Sequence, residues 1–209
     1  MSVYERHVLA PLTACICAGK AFALQRARIV PQACGVVADI GFGSGTNLPH
    51  YNAAHVSRVI GIEPSAAMLN RAKANVARSP FPVDLVRASG EGLPLAGKSV
   101  DTCVFTYALC TIPDPGAALQ EARRILKPDG CILFCEHGRA QDEGVARWQD
   151  RLDGLWGTLA GGCHLNRDPA ARLTANGFVI EALETYTLPR RPALFAFHYV
   201  GRARLGEHR

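Results

Sequence analysis

The sequence predicts an α/β fold: a seven-stranded, mostly parallel sheet with helices on both faces. Three observations lead there. Apolar, β-rich runs alternate with helical stretches along most of the chain. The runs are continuously apolar, as strands buried on both faces are. The first of them ends in an acidic residue followed by alternating glycines. The 209 residues suit one domain of ordinary size with a core of its own.

Taken in order, the chain opens with an uncharged run, Val8–Gly19, well short of the roughly 20 residues a membrane-spanning helix needs. Leu12-Thr13-Ala14-Cys15 has the look of an export signal, but Glu5, Pro11 and Lys20 stand against it. Val8, Leu12, Ile16 and Ala23 suit one face of a short helix. Residues 1–34 are therefore read as an N-terminal lid-helix region with at most weak contact to a membrane surface, ahead of a main domain over 35–209. Strands follow at Val36–Ile40, Arg58–Ile62, Val83–Arg87, Asp101–Thr106 and Cys131–Glu136. Helices are expected at Ser65–Val76, with a capping serine, and at Pro115–Leu126, stopped by Lys127-Pro128-Asp129-Gly130. After residue 137 an amphipathic stretch, Val145–Leu159, leads to the loop Gly161–Arg167, and a short helix reaches Gly177. Two last strands, Phe178–Thr187 and Ala193–Gly201, flank Pro189-Arg190-Arg191-Pro192, a connection short enough for an antiparallel hairpin at the sheet edge.

Composition narrows the function classes. The net charge of +5 comes from 23 Lys+Arg against 18 Asp+Glu, with Arg190, Arg191, Arg202, Arg204 and Arg209 near the end. No basic stripe interleaved with aromatics marks a nucleic-acid groove, so the excess reads as a solvated surface. The 8 cysteines include no C-x-x-C, and Cys103, Cys131 and Cys135 fall inside expected strands, where a thiol acts as a small hydrophobe. No disulfide framework and no metal site is predicted, and the compartment reads as reducing, hence cytoplasmic.

The informative segment is Asp39-Ile-Gly41-Phe-Gly43-Ser-Gly45-Thr46-Asn47. Glycines there allow a tight strand-to-helix turn and let backbone approach a ligand with no Cβ in the way. The next strand ends at Glu63, at the spacing where dinucleotide folds place the acid that accepts the ribose hydroxyls. A nicotinamide cofactor is the competitor. Its fingerprint is G-x-G-x-x-G, whereas this chain reads G-x-G-x-G with Thr46 in the third dinucleotide position.

On these residues the chain resembles the class I S-adenosylmethionine-dependent methyltransferases, whose fold is Rossmann-like. Asp39 through Gly45, with Asn47, resembles the motif that wraps the methionine end of S-adenosylmethionine. Glu63-Pro64-Ser-Ala-Ala-Met68 resembles the next, with the acid on the ribose and Met68 against the adenine. Ala88-Ser89-Gly90-Glu91-Gly92-Leu93-Pro94 resembles the third, with Ser89 where the family has Asp and Gly90 where it has Ala; a hydroxyl there still accepts from the adenine amine, without a charge. Ser99-Val-Asp101 and Leu126-Lys-Pro-Asp-Gly130 complete the series, and Thr106 and Tyr107 follow the fourth strand at the transferred methyl.

The acceptor is expected beyond the carboxyl ends of strands four and five. A sulfonium methyl is already activated, so the protein has to align a nucleophile, exclude water and remove a proton if the nucleophile arrives with one. His137 is the leading candidate for that base, because imidazole titrates near neutrality; a structural histidine at a strand end is the competing reading. His164 carries the same ambiguity, and Cys110 and Cys163 either line the pocket or pack inertly. Ala-Leu-Cys110, Glu136-His137 and Gly-Gly-Cys163-His164-Leu-Asn-Arg167-Asp together are similar to the methyltransferase-like family acting on alkyl thiols and hydrogen sulfide, with Asn166 where that family has Thr. That resemblance implies S-methylation of a small, fairly apolar thiol. The alternatives are N- or O-methylation of a lipid amine or of a quinone or phenol precursor, and a cofactor-binding regulatory protein without turnover.

Overall fold

The computed structural model describes residues 19–206. The elements are α1 (Lys20–Ile29), β1 (Gly35–Ile40), β2 (Val56–Ile62), α2 (Ala66–Val76), β3 (Val83–Val86), β4 (Val100–Thr106), α3 (Pro115–Ile125), β5 (Leu126–His137), α4 (Glu143–Leu159), α5 (Pro169–Ala175), β6 (Phe178–Thr187), α6 (Ala193–Ala196) and β7 (Phe197–Leu205). The run up to Cys17, with Val8, Leu12 and Ile16, lies outside the described residues. Among the described residues no helix is long and apolar enough to cross a membrane.

One 7-stranded sheet runs in the order β3-β2-β1-β4-β5-β7-β6. β1 pairs in parallel with β2 and β4, and β3 and β5 continue outward in parallel. β7 enters antiparallel between β5 and β6, so the expected hairpin forms at the edge. Its last strand starts later than the sequence suggested. Pro192 leads into the short α6 instead, and Leu188 N–H donates to the Ala196 carbonyl at 2.8 Å, closing the connection before β7 begins.

Alternation within the strands explains why both faces carry helices. In β4 and β5, Cys103, Phe105, Ile132 and Phe134 face one apolar cluster with Leu119 and Ile125 of α3. Val104, Leu133 and Cys135 face the other, where Ile29 and Val30 at the end of α1 cover them. Cys103 and Cys135 are buried as expected, and burial pushes the Cys135 thiol up to about 12. Helix starts follow local chemistry. Ser65 accepts from Met68 N–H at 3.4 Å, while Asp114 and Asp168 cap α3 and α5 with a proline in the first turn.

Candidate active site

The turn after β1 is fastened before it meets any ligand. Gly41 and Phe42 N–H both donate to the Ile62 carbonyl at 3.0 Å, and Gly41, Gly43 and Gly45 have φ of 79°, 57° and 76°. The glycines are not equivalent. A Cβ on Gly41 would stand 2.5 Å from the Ala108 Cβ, and one on Gly45 would press on Phe42 and Leu48. At Gly43 the nearest atom would be Met68 Cε at 3.5 Å, an ordinary contact. Gly43 is therefore the position where backbone faces open space beside Met68.

Asp39 lies beneath this turn with no accessible surface. Both its oxygens accept from Asn47 Nδ2 at 3.0 Å, and one accepts from the Tyr51 hydroxyl at 2.9 Å. Asn47 in turn accepts from Thr106 Oγ1 at 3.1 Å, which joins the turn to the end of β4. Burial, only partly offset by those hydrogen bonds, raises Asp39 to about 6. Asp39, Asn47 and Thr106 thus tie the turn to the ends of β1 and β4.

Glu63 sits at the tip of β2, mostly buried, which pushes its carboxyl up from the usual range. Its oxygens accept from Gly43 N–H at 3.0 Å and Ser65 N–H at 2.9 Å. Each carboxylate oxygen keeps a lone pair for a further donor. Pro64 is exposed beside it, and its carbonyl accepts from Arg87 Nε at 3.3 Å. At the far rim Ser89 Oγ donates to Glu91 Oε2 at 2.7 Å, and Glu91 Oε1 accepts from Asp114 N–H at 2.6 Å. Gly90 is buried there, and a Cβ would press on Ile40 at 3.0 Å.

Beyond β4 the backbone turns sharply at Tyr107, a non-glycine residue with φ of 56°. The Tyr107 ring packs edge-on to Phe22 of α1 at 4.7 Å, with His198 at 5.7 Å and the Arg26 guanidinium at 5.1 Å. Glu136, fully buried, accepts from Ala108 and Leu109 N–H at 2.8 and 3.0 Å and holds the turn from β5. Arg167 holds it from the other side, donating to the carbonyls of Leu109 at 2.7 Å and Ile112 at 2.6 Å. Neither positioning role was readable in the sequence. The partners of Arg167 lie 58 and 55 residues away, and only the position of Arg167 in the Gly161–Arg167 loop hinted at it.

That loop also delivers Cys163 to the strand tips. His137 Nε2 lies 3.2 Å from Cys163 Sγ, and the donor atoms of Cys110, His137 and Cys163 all fall within 4.8 Å of one another. His137 Nδ1 is buried without a hydrogen-bond partner among the described residues. The hydrogen bond with Cys110, together with burial, pushes the Cys163 thiol well above its usual range. His164 is separate. Its Nδ1 pairs with Asp153 at 2.6 Å, and only its N–H reaches the cluster, donating to the Cys110 carbonyl at 2.8 Å. A surface depression of about 550 Å³ beside Trp148 and Leu194 shares no residue with this site.

Residues 38–134 match the methyltransferase domain family. The chain is 30% identical over 169 residues to the thiol S-methyltransferase TMT1A of Homo sapiens, covering 79% of this chain and 68% of that one. It is 29% identical over 170 residues to the thiol S-methyltransferase TMT1B of Rattus norvegicus, with the same coverage of 79% and 68%. A solved S-adenosylmethionine-dependent methyltransferase of Thermotoga maritima superposes with a TM-score of 0.67 at 22% identity, over 96% of this chain and 97% of that one. The chain belongs to the class I S-adenosylmethionine-dependent methyltransferases. S-adenosylmethionine is its cofactor, and the residues fit it: Gly43 leaves open the space a Cβ would fill, and the Glu63 carboxylate is fixed at the edge of that space.

Proposed function

We propose that this methyltransferase moves the methyl group of S-adenosylmethionine to the sulfur of a small, fairly apolar thiol. The observation that carries the reading is the Cys110–His137–Cys163 cluster at the tips of β4 and β5, beside the cofactor turn. The two thiol S-methyltransferases, similar over 79% of the chain, support it.

In this reading the Gly43 backbone and the remaining lone pairs of Glu63 hold the nucleoside and methionine portions. Met68, with Pro64 beside it, covers the adenine, and Ser89, Gly90 and Glu91 form its far rim. Asp39, Asn47 and Thr106 keep the turn in shape, and Tyr107 fixes the backbone where the methyl is presented. Residues 1–34 act as the lid region. Phe22 and Arg26 of α1 lie on Tyr107, and the run before residue 19 supplies any weak contact with a membrane surface. The unpaired thiols among the described residues suit a reducing compartment, the cytoplasm.

The chemistry asks for alignment, exclusion of water and an ionised sulfur. A thiol with pKa near 8.5 is only a few per cent thiolate at neutral pH. His137 is the imidazole at the strand tip, but it stands in contact with Cys163, so ionising the acceptor is a property of the whole cluster. The test is a panel of small thiols, amines and phenols with S-adenosylmethionine, read by mass spectrometry for products heavier by one methyl. Thioethers are expected from the thiols. Methylated amines or phenols with no thioether would refute the reading.

A further inference from the structure

We propose that Cys110, His137 and Cys163 form a zinc site with three protein ligands, whose open fourth position takes the sulfur of the methyl acceptor. The inference rests on the S-methylation reading for its substrate and on geometry for its site. Two thiols and an imidazole are brought together from the turn after β4, the end of β5 and the loop after α4, their donor atoms within 4.8 Å. Tetrahedral zinc with sulfur and nitrogen ligands sets neighbouring donors about 3.6–3.8 Å apart. The 3.2 Å His137–Cys163 pair is already inside that distance, and the widest pair closes by about 1 Å through side-chain rotation.

The donors are spent on little else. Cys110 Sγ has a weak contact to Thr111 Oγ1 at 3.5 Å, and the partner of His137 Nε2 is Cys163 Sγ, inside the cluster. Cys110 is buried and Cys163 half-buried, so the cluster is largely shielded from water. Thiolate with imidazole is a donor set that suits zinc, and three protein ligands with a fourth position left to water or substrate is its catalytic form. The spacing along the chain explains why no ligand motif announced the site. Cys110 and His137 are separated by a whole strand and helix, and His137 and Cys163 by α4.

The site answers the ionisation problem. A coordinated thiol is deprotonated outright, so the acceptor gives its proton to solvent on binding and enters as a thiolate held by the metal. The thiolate sulfur attacks the methyl carbon, and the new carbon–sulfur bond forms as the methyl–sulfonium bond breaks. The electron pair of that bond stays on the departing sulfur, which becomes the neutral thioether of S-adenosylhomocysteine. No oxidant or reductant is required. The methylated product is a neutral thioether, a weaker ligand, and leaves. His137 is then a metal ligand and not a free base.

The test uses the full chain, loaded with zinc, desalted and measured for metal content. One equivalent of zinc is expected, and Cys110→Ser and Cys163→Ser should lose it while still binding S-adenosylhomocysteine in calorimetry. Cobalt(II) in place of zinc should show thiolate-to-metal charge-transfer absorption, and adding a small thiol should change the cobalt ligand-field bands. A folded chain that binds S-adenosylhomocysteine but takes up no zinc at micromolar concentration overturns the proposal. So does a Cys110–Cys163 disulfide as the resting state in reducing buffer, or thiol methylation at full rate after chelation to a metal-free chain. Stoichiometric zinc with no thioether from any thiol would refute the S-methylation reading and the fourth-position assignment, and would leave the three-ligand site standing.

Discussion

Replacing the three glycines of the first turn one at a time separates ligand space from packing space. At Gly43 the backbone φ of 57° makes any side chain costly, about 1–2 kcal/mol. The added Cβ meets Met68 Cε at 3.5 Å and the Gly41 carbonyl oxygen at 3.9 Å, both ordinary contacts, so no further packing cost follows. Gly43→Ala should therefore fold with a modest loss of stability. At Gly41 the same φ penalty applies, and the Cβ would stand 2.5 Å from another carbon. Carbon atoms rest at about 3.5–4.0 Å, and overpacking of this kind adds about 1–3 kcal/mol. Gly41→Ala should accordingly cost about 2–5 kcal/mol in all.

Binding should follow a different order. Gly43→Ala narrows the space over the turn, and Gly43→Val fills it, so the valine variant should lose at least about 100-fold in affinity for S-adenosylhomocysteine, about 2.7 kcal/mol. Urea denaturation gives the stabilities and isothermal calorimetry the affinities, on the same preparations. The distinction fails if Gly43→Val binds like the parent, since the cofactor would then not lie against this backbone. It fails equally if Gly43→Ala is as destabilised as Gly41→Ala, because the two Cβ environments would then be alike.

Three further outcomes follow from the geometry. Glu63→Gln presents one acceptor oxygen to two N–H donors, those of Gly43 and Ser65, and should weaken S-adenosylhomocysteine binding by about 1.5–3 kcal/mol; an unchanged dissociation constant would remove Glu63 from the site. Arg167→Met strips the carbonyls of Leu109 and Ile112 of their donor, and should lower both the melting temperature and turnover while cofactor affinity holds; full turnover would deny Arg167 its positioning role. Asp39, raised from 3.8 to about 6, contributes stability that is present below pH 3.8 and lost as pH rises through 6, whereas His198, lowered by burial from 6.5 to about 4, contributes stability that is present above pH 6.5 and lost as pH falls through 4. Each amounts to roughly 3 kcal/mol at about 1.4 kcal/mol per unit, with opposite sign, so urea titrations between those limits should show acid sensitivity growing in Asp39→Asn and shrinking in His198→Gln; parallel pH profiles for parent and variants would contradict both assignments.

Much of the fold was legible because buried parallel strands are written as apolar runs and caps as single residues. Val36–Ile40 and Asp101–Thr106 fall within the observed strands, and the serine before α2 caps it as its position suggested. The start of the last strand was not legible. Ala193–Ala196 is as apolar as a strand, but Phe195 N–H donates to the Pro192 carbonyl at 3.0 Å and makes it a helical turn. Local spacing likewise revealed the glycine turn and Glu63, which lie on consecutive strands. It could not reveal that Asp39 is fully enclosed by Asn47 and Tyr51, nor that Cys110, His137 and Cys163 converge. In the first a strand residue meets the turn that follows it, and in the second a strand end meets two loops, and residue spacing alone sets neither.

The convergence is held by backbone more than by the side chains that meet there. Cys110 follows a turn pinned through its amides by Glu136 and through its carbonyls by Arg167. His137 closes β5 in register with His198 of β7, so its place is set by the antiparallel insertion. Cys163 arrives with the loop whose next residue, His164, donates its N–H to the Cys110 carbonyl, while Asp153 of α4 anchors both that imidazole and Leu165 N–H. The Cys163 loop thus braces the Cys110 turn twice, through Arg167 and through the His164 N–H, while the strand register sets His137 beside them. Buried backbone groups find partners in any fold, so these bonds fix where the three side chains stand, and the zinc measurement reads what they hold there.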